Sequence, residues 1–190
     1  MNRYVIAAAA TAMLVGAGAA LATTSDAPQP DAGAEIMNPM IAGQAMLPTR
    51  DLADNIANSP EHTAFVHGLK ESGVEGLLKG KGPFTVFAPT NEAFASARAG
   101  ASGKTELTKL LDYHIVRGRL DSRTLLKLIG EGGGQAKLKT VEGGTLVAML
   151  NGPTNIALMD AKGGIADITI YDVYQANGVM QVIDKVVRPD

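Results

Sequence analysis

Side chains able to carry acid–base, nucleophilic or metal chemistry are few in this chain. Its 190 residues hold three histidines, His62, His67 and His114, and no cysteine. That removes disulfides, thiol nucleophiles, thiolate metal sites and a lipid-attached cysteine together. His62 and His67 stand five apart, which on a helix sends them to diverging faces, unlike the i, i+4 pair that grips zinc. Met37, Met40 and Met46 form a loose thioether trio. Thioethers are soft ligands, so the trio is the one candidate metal site, for Cu(I); the alternative is a strap whose methionines fill irregular gaps against a domain. No G-x-S-x-G elbow occurs. The stretch Gly76-Leu77-Leu78-Lys79-Gly80-Lys81 lacks P-loop spacing and its Ser or Thr, and Gly130–Gly134 follows no strand. The expectation is a protein that is not an enzyme and holds no cofactor.

The elements around these residues start from Gly82–Phe94. Phe84, Val86 and Ala88 alternate with Thr85 and Phe87, the pattern of a short strand covered on both faces. Pro89 stops it, Thr90 is a suitable N-cap, and Glu92 suits the first turn of the next helix. Upstream, helices are expected over Asp51–Asn58, from Ser59-Pro60-Glu61 through Phe65, Val66 and Leu69 to Gly73, and over Val74–Leu78. Thr105–His114 is the clearest helix, with Leu107, Leu110, Leu111 and His114 on one stripe. On that stripe His114 reads as a core imidazole held neutral by burial and needing a partner. Tyr113 lies off the stripe and is expected to be the more exposed. Leu125–Ile129 is helical. From there strands are expected over Leu138–Val141, Thr145–Met149, Ile156–Met159, Ile165–Tyr174 and Val179–Val187, with Glu142-Gly143-Gly144 as a hairpin turn. Asn177-Gly178 reads as a turn through tolerance of positive φ. Asp172 interrupts an apolar strand beside Tyr171 and Tyr174 and marks a bulge, an outward contact or a charged edge. Asp184 reads as a structural acceptor.

Before the domain, Arg3, the apolar run Val5–Gly18 and Ala20-Leu21-Ala22 have the layout of an export signal over residues 1–22, cleaved after Ala22. Residues 23–46 are a Pro-, Ala- and Met-rich linker or strap, and the compact domain is expected over 47–189. Seventeen basic and nineteen acidic residues give a net charge of -2 with both signs interspersed. That excludes the basic footprint of a nucleic-acid binder and leaves no polybasic membrane patch. No stable membrane insertion is expected once the signal is removed. Helices mainly in the first half and strands in the second make an α+β class.

Three stretches, in this order, resemble the conserved segments of the fasciclin domain family. They are Gly82–Phe94, Leu110-Leu111-Asp112-Tyr113-His114-Ile115-Val116, and Asn177–Pro189 with Asn177-Gly178-Val179-Met180-Gln181-Val182-Ile183-Asp184 at its head. The resemblance covers about Leu47 to Pro189. It implies a β-sandwich or wedge with helices packed around it, and a non-catalytic adhesion or interaction module outside the cytoplasm. The partner it implies is a protein or polysaccharide of the cell envelope or matrix, met in the periplasm or as a secreted protein; it fixes no oligomeric state. In animal adhesion members of the family the Tyr-His region and an Asp-Ile pair are receptor-contact motifs. Tyr113, His114, Asp172 and Val173 stand at those positions, with Val in place of Ile. The alternative function is a periplasmic small-ligand or Cu(I)-binding protein using Met37, Met40 and Met46.

Overall fold

The computed structural model describes residues 37–98 and 103–190. The expected export signal and the linker up to residue 36 lie outside the described residues. From Asn38 the strap is fastened to the domain. The Asn38 amide donates to Met46 O and Tyr174 O and accepts from Tyr174 N, and Ile41 and Met46 are buried. Ala42 and Gly43, both at positive φ, turn the strap back on itself between Ile41 and Gln44.

Six helices follow the expected spacing: α1 Leu52–Ala57, α2 Thr63–Ser72, α3 Glu75–Leu78, α4 Asn91–Arg98, α5 Lys104–Tyr113 and α6 Ser122–Glu131. Caps set several of their ends. Asp51 accepts from Asp54 N and Asp121 from Thr124 N at the starts of α1 and α6. Gly73 ends α2 in the left-handed conformation. A 3-10 turn over Pro60–His62 leads into α2. Asn91 joins the starts of α2 and α4 by accepting from Thr63 Oγ1 and Ala64 N and donating to Pro60 O.

The strands are β1 Phe84–Pro89, β2 Ile115–Arg117, β3 Gln135–Lys139, β4 Thr145–Leu150, β5 Ile156–Met159, β6 Ile165–Gln175 and β7 Gly178–Ile183. They form one sheet in the order β2-β1-β7-β6-β5-β4-β3. Every neighbouring pair is antiparallel except β1 and β7, which run parallel from Phe84↔Gly178 to Pro89↔Ile183. The long β6 pairs with β5 through its first residues and with β7 along its length, with register shifts between Ile168 and Val173. β7 stops at Ile183 rather than Val187. There Asp184 turns its backbone N–H and its carboxylate onto Asp167, and the chain peels away. β3 likewise starts earlier and ends earlier than the apolar run Leu138–Val141 suggests.

The central pair β1–β7 is covered on both faces. Phe84, Val86, Ala88, Met180 and Val182 face a first core with α1, α2, α4 and α5, in which Phe65 and Phe94 meet edge to face at 5.6 Å. Phe87 and Ile183 face a second core filled by α6 and β3–β6. A strand buried on both sides must satisfy its polar groups internally. Thr85 does so by donating to Gly118 O and accepting from Leu120 N.

Asn177 fixes where this pair begins. Its side chain accepts from Leu52 N at the start of α1 and donates to Leu78 O and Gly80 O, while its carbonyl accepts from Phe84 N. The turn before β7 is Ala176–Asn177, and neither Asn177 nor Gly178 has positive φ, so the conformational reason for this Asn-Gly pair is corrected. Gly178 is required by close approach: a Cβ there would meet Phe84 O at 2.1 Å and Leu52 Cδ1 at 2.6 Å. Gly178→Ala is expected to cost about 3 kcal/mol or more, on the scale of overpacked cores. Asn177→Ala, which strands several buried groups, is expected to cost on the order of 2–4 kcal/mol. Denaturant unfolding at neutral pH measures both.

Candidate functional site

The residues singled out by sequence fall on two structures, the α5–β2 corner and the bulge in β6. Helix α5 runs between the two cores. Leu107, Leu110 and Leu111 enter the first, and Tyr113 enters the second. Tyr113 is among the largest fully buried side chains, at 0% exposure, so the exposure expected of it is overturned. Its hydroxyl donates to Thr145 O at 2.6 Å and accepts from Ala161 N at 3.1 Å. Burial holds its phenol above the ordinary range. A helical stripe shows one buried face; here the opposite face is covered as well, by the loops around Gly144 and Ala161.

His114 caps α5 and is fully buried, as its place on the stripe indicates. Val187 N–H donates to its Nε2 at 3.3 Å, which places the ring proton on Nδ1, 2.7 Å from Leu110 O. Burial lowers its pKa to about 4, offset in part by the Leu110 carbonyl and by Asp160. His62 is the second buried imidazole. Its Nδ1 pairs with Ser59 Oγ at 2.7 Å, and Nε2 has no well-formed partner. Its pKa is also lowered to about 4 by burial, with the Ala88 carbonyl pulling the other way. Neither ring is placed to take up a proton near neutrality.

Asp172 sits at φ 58, the left-handed region, inside the register shift of β6. This is the bulge reading of the residue. Its carboxylate is bonded within the fold. Oδ1 accepts from Ser122 N at 2.7 Å and Gln181 Nε2 at 2.9 Å, and Oδ2 accepts from Ser122 Oγ. Its own N–H donates to Gln181 Oε1. A carboxylate at the N-terminus of α6 is favoured by the helix dipole, and it stands there beside the N-cap Asp121. The next residue, Val173, is fully buried in the first core. A direct-contact role for Tyr113, His114 and Val173 therefore meets side chains with no exposed surface. Tyr171 and Tyr174 are half-buried, and their hydroxyls donate to Asn155 Oδ1 and Asp121 Oδ2.

The methionine trio is divided. Met46 is 3% exposed within the first core, while Met37 is 89% and Met40 62% exposed. The strap reading describes Met46. Among the described residues no group of three His, Asp or Glu side chains is placed to hold a metal. Asp184 is a structural acceptor from Asp167 N. Sequence reasoning missed Asp160, a buried carboxylate that accepts from Lys162 N, Gly164 N and Arg188 N and so fastens the C-terminal segment. The signal for it was weak: Asp before Lys-Gly-Gly reads only as a turn.

A helical layer and a bent sheet together enclose two cores, and the ionisable side chains of Asp51, His114, Asp121, Asp160 and Asp172 are bound into caps, bulges and turns. Comparison with known proteins gives the family. The model of the Fasciclin domain matches residues 60–189, and the chain belongs to the fasciclin domain family. It is 30% identical over 142 residues to Protein sll1483 of Synechocystis, covering 70% of each chain. It is 32% identical to human stabilin-1 and to human periostin, covering 75% and 73% of this chain but only 5% and 16% of those proteins. A fasciclin domain pair from the insect cell adhesion molecule Fasciclin I shares the fold at a TM-score of 0.62 and 17% identity, over 73% of this chain and 51% of that one.

The buried imidazoles set a pH dependence. With folded values of about 4 against 6.5 for the free side chain, the unfolded chain binds the extra protons first. Their contribution to stability is complete above pH 6.5 and is lost as pH falls through the window down to about 4. Each is expected to remove on the order of 3 kcal/mol across that window. Urea unfolding at a series of pH values measures the slope; a flat profile between those limits would contradict neutral burial. Asp172→Ala, which loses the α6 anchor and puts alanine at positive φ, is expected to cost about 2–4 kcal/mol, with Asp172→Asn losing less.

Proposed function

We propose that the chain is an exported interaction module that holds a macromolecule of the cell envelope or matrix by surface complementarity, without chemistry. The observation that carries this reading is where its reactive side chains are used. His62 and His114 are buried neutral, and Asp160 and Asp172 are saturated by hydrogen bonds inside the fold. Membership of the fasciclin domain family supports it, since the family is one of adhesion and matrix-interaction modules and generally non-catalytic, and the related fold belongs to a cell adhesion molecule. Export rests on the signal-like residues 1–22. Among the described residues no helix is long and apolar enough to cross a membrane. In this reading Tyr113, His114, Asp172 and Val173 act through the fold, by fixing the α5–β2 corner and the start of α6.

Two measurements test it. Intact mass of the protein recovered from the extracytoplasmic fraction of its own cells is expected to start at Thr23, and a species retaining Met1 would contradict export. Beads coated with the mature chain are expected to adhere to envelope preparations of those cells saturably, and adhesion no greater than that of uncoated beads would overturn the interaction reading. Tyr113→Ala is expected to lower stability by about 3–5 kcal/mol, as other buried aromatic truncations do, so that its effect on adhesion follows the unfolded fraction.

A further inference from the structure

The sheet has two outer strands, β2 and β3, and the bend of the sheet brings them back towards each other. They meet at a single bridge, Val116↔Thr140, beside which Val141 N–H donates to Ile115 O at 2.8 Å. On the side of Arg117 and Lys137 they part, leaving a cleft of about 370 Å³. Its walls include Arg117 and Leu120 on one side and Lys137, Leu138 and Lys139 on the other.

Backbone direction across the cleft follows from its neighbours. Amide groups alternate sides along a strand. Thr140 N–H donates to Gly144 O on the β4 side, and Val141 N–H points to β2, so the amides and carbonyls of Lys137 and Lys139 face the cleft. Gly118 N–H donates to Pro83 O on the β1 side, so those of Arg117 face β3, and Arg117 N–H meets Lys139 O at the Val116↔Thr140 bridge. Past that bridge the edge of β3 at Lys137 is open. The Leu120 wall is held in place: its N–H donates to Thr85 Oγ1 and its carbonyl accepts from Gln181 Nε2, both buried side chains.

The charge is one-sided. The cleft is lined by three cations and no carboxylate, in a chain whose net charge is -2. Among the described residues none of Arg117, Lys137 and Lys139 forms an ion pair; Arg117 lies over the Phe84 ring at 5.9 Å. Cations alone would suit any polyanion. Cations beside the open β3 edge at Lys137, above apolar Leu120 and Leu138, suit an extended polypeptide that continues the ladder and offers carboxylates to the rim.

We propose that the cleft between β2 and β3 binds an extended acidic peptide segment of a partner protein by strand addition. This rests on the interaction-module reading and names the kind of partner that module would take. The probe is an octapeptide of alternating Glu and Val, titrated into the isotope-labelled full chain and followed by NMR at low and at physiological salt. Saturable binding is expected, with shifts at Arg117, Lys137 and Lys139. Affinity is expected to fall about tenfold or more in Lys137→Glu/Lys139→Glu, and by a similar factor when alternate peptide amides are N-methylated. The matching Lys–Val octapeptide is expected not to bind. Both substituted lysines are exposed, so the variant should unfold at the wild-type temperature, and a single Arg117→Glu variant serves if it does not.

No binding of the Glu–Val peptide, or equal binding by the double variant, would overturn the assignment. So would equal binding of the N-methylated peptide, or preference for a polyglucuronate oligosaccharide. Concentration-dependent sedimentation abolished by the double variant, without peptide binding, would give the cleft to a second copy instead. Coated beads that still adhere when the peptide fails would refute the cleft and leave the module reading standing; beads that also fail to adhere would refute both.

Discussion

The rest of this structure depends on one constraint, the parallel pairing of β1 with β7 between two cores. The pair joins the first strand of the domain to its last and is closed at its start by the Asn177 amide and the contact of Gly178 on Phe84 O. With no solvent on either face, every residue of these strands is buried. Polar residues there must find partners in the fold. Thr85 and Gln181 find them in the loop before α6 and in Asp172, which is how a local rule of strand burial fixes the position of a helix more than thirty residues away in sequence.

The same constraint decides the fate of the ionisable groups. An unpaired buried polar group costs about 1–3 kcal/mol, and a buried charge costs more unless paired. The fold meets this by keeping His62 and His114 neutral and by surrounding the carboxylates of Asp160 and Asp172 with N–H and O–H donors. The carboxylates of Asp160 and Asp172 are each held by three donors of their own fold, and an imidazole titrating near 4 is a poor base at neutral pH. The chemistry-bearing residues of the sequence are thus part of the scaffold.

Much of this was legible in the sequence because it is local. The proline stop at Pro89, the N-cap Thr90, the helix end at Gly73, and the stripe on α5 each record short-range physics, and the helical first half and stranded second half follow from them. His114 was legible as a core residue for the same reason. Tyr113 was not, because periodicity reports one buried face and α5 has two. The Asn177-Gly178 pair looked like a turn signal, while its Asn is a hub between α1, α3 and β1 and its Gly marks a backbone contact; both roles involve residues distant in sequence. Asp172 read correctly as an irregularity, but the donors that fill it come from α6 and β7. The methionine trio joins one buried and two exposed side chains, a difference that spacing along the chain does not report.

What remains for recognition is what the two cores do not cover. The bent sheet joins its outer strands at one bridge only, because β2 is only three residues long and β3 continues past the point where they meet. Exposed edges invite pairing with other copies, and cationic side chains are a common guard against it. Arg117, Lys137 and Lys139 serve that purpose between identical molecules, since two such edges brought together would set like charges opposite one another. The guard is selective rather than general. It opposes a cationic edge and favours an anionic one, so the charges that two copies of this edge would set against each other also set the sign of charge that suits a heterologous strand.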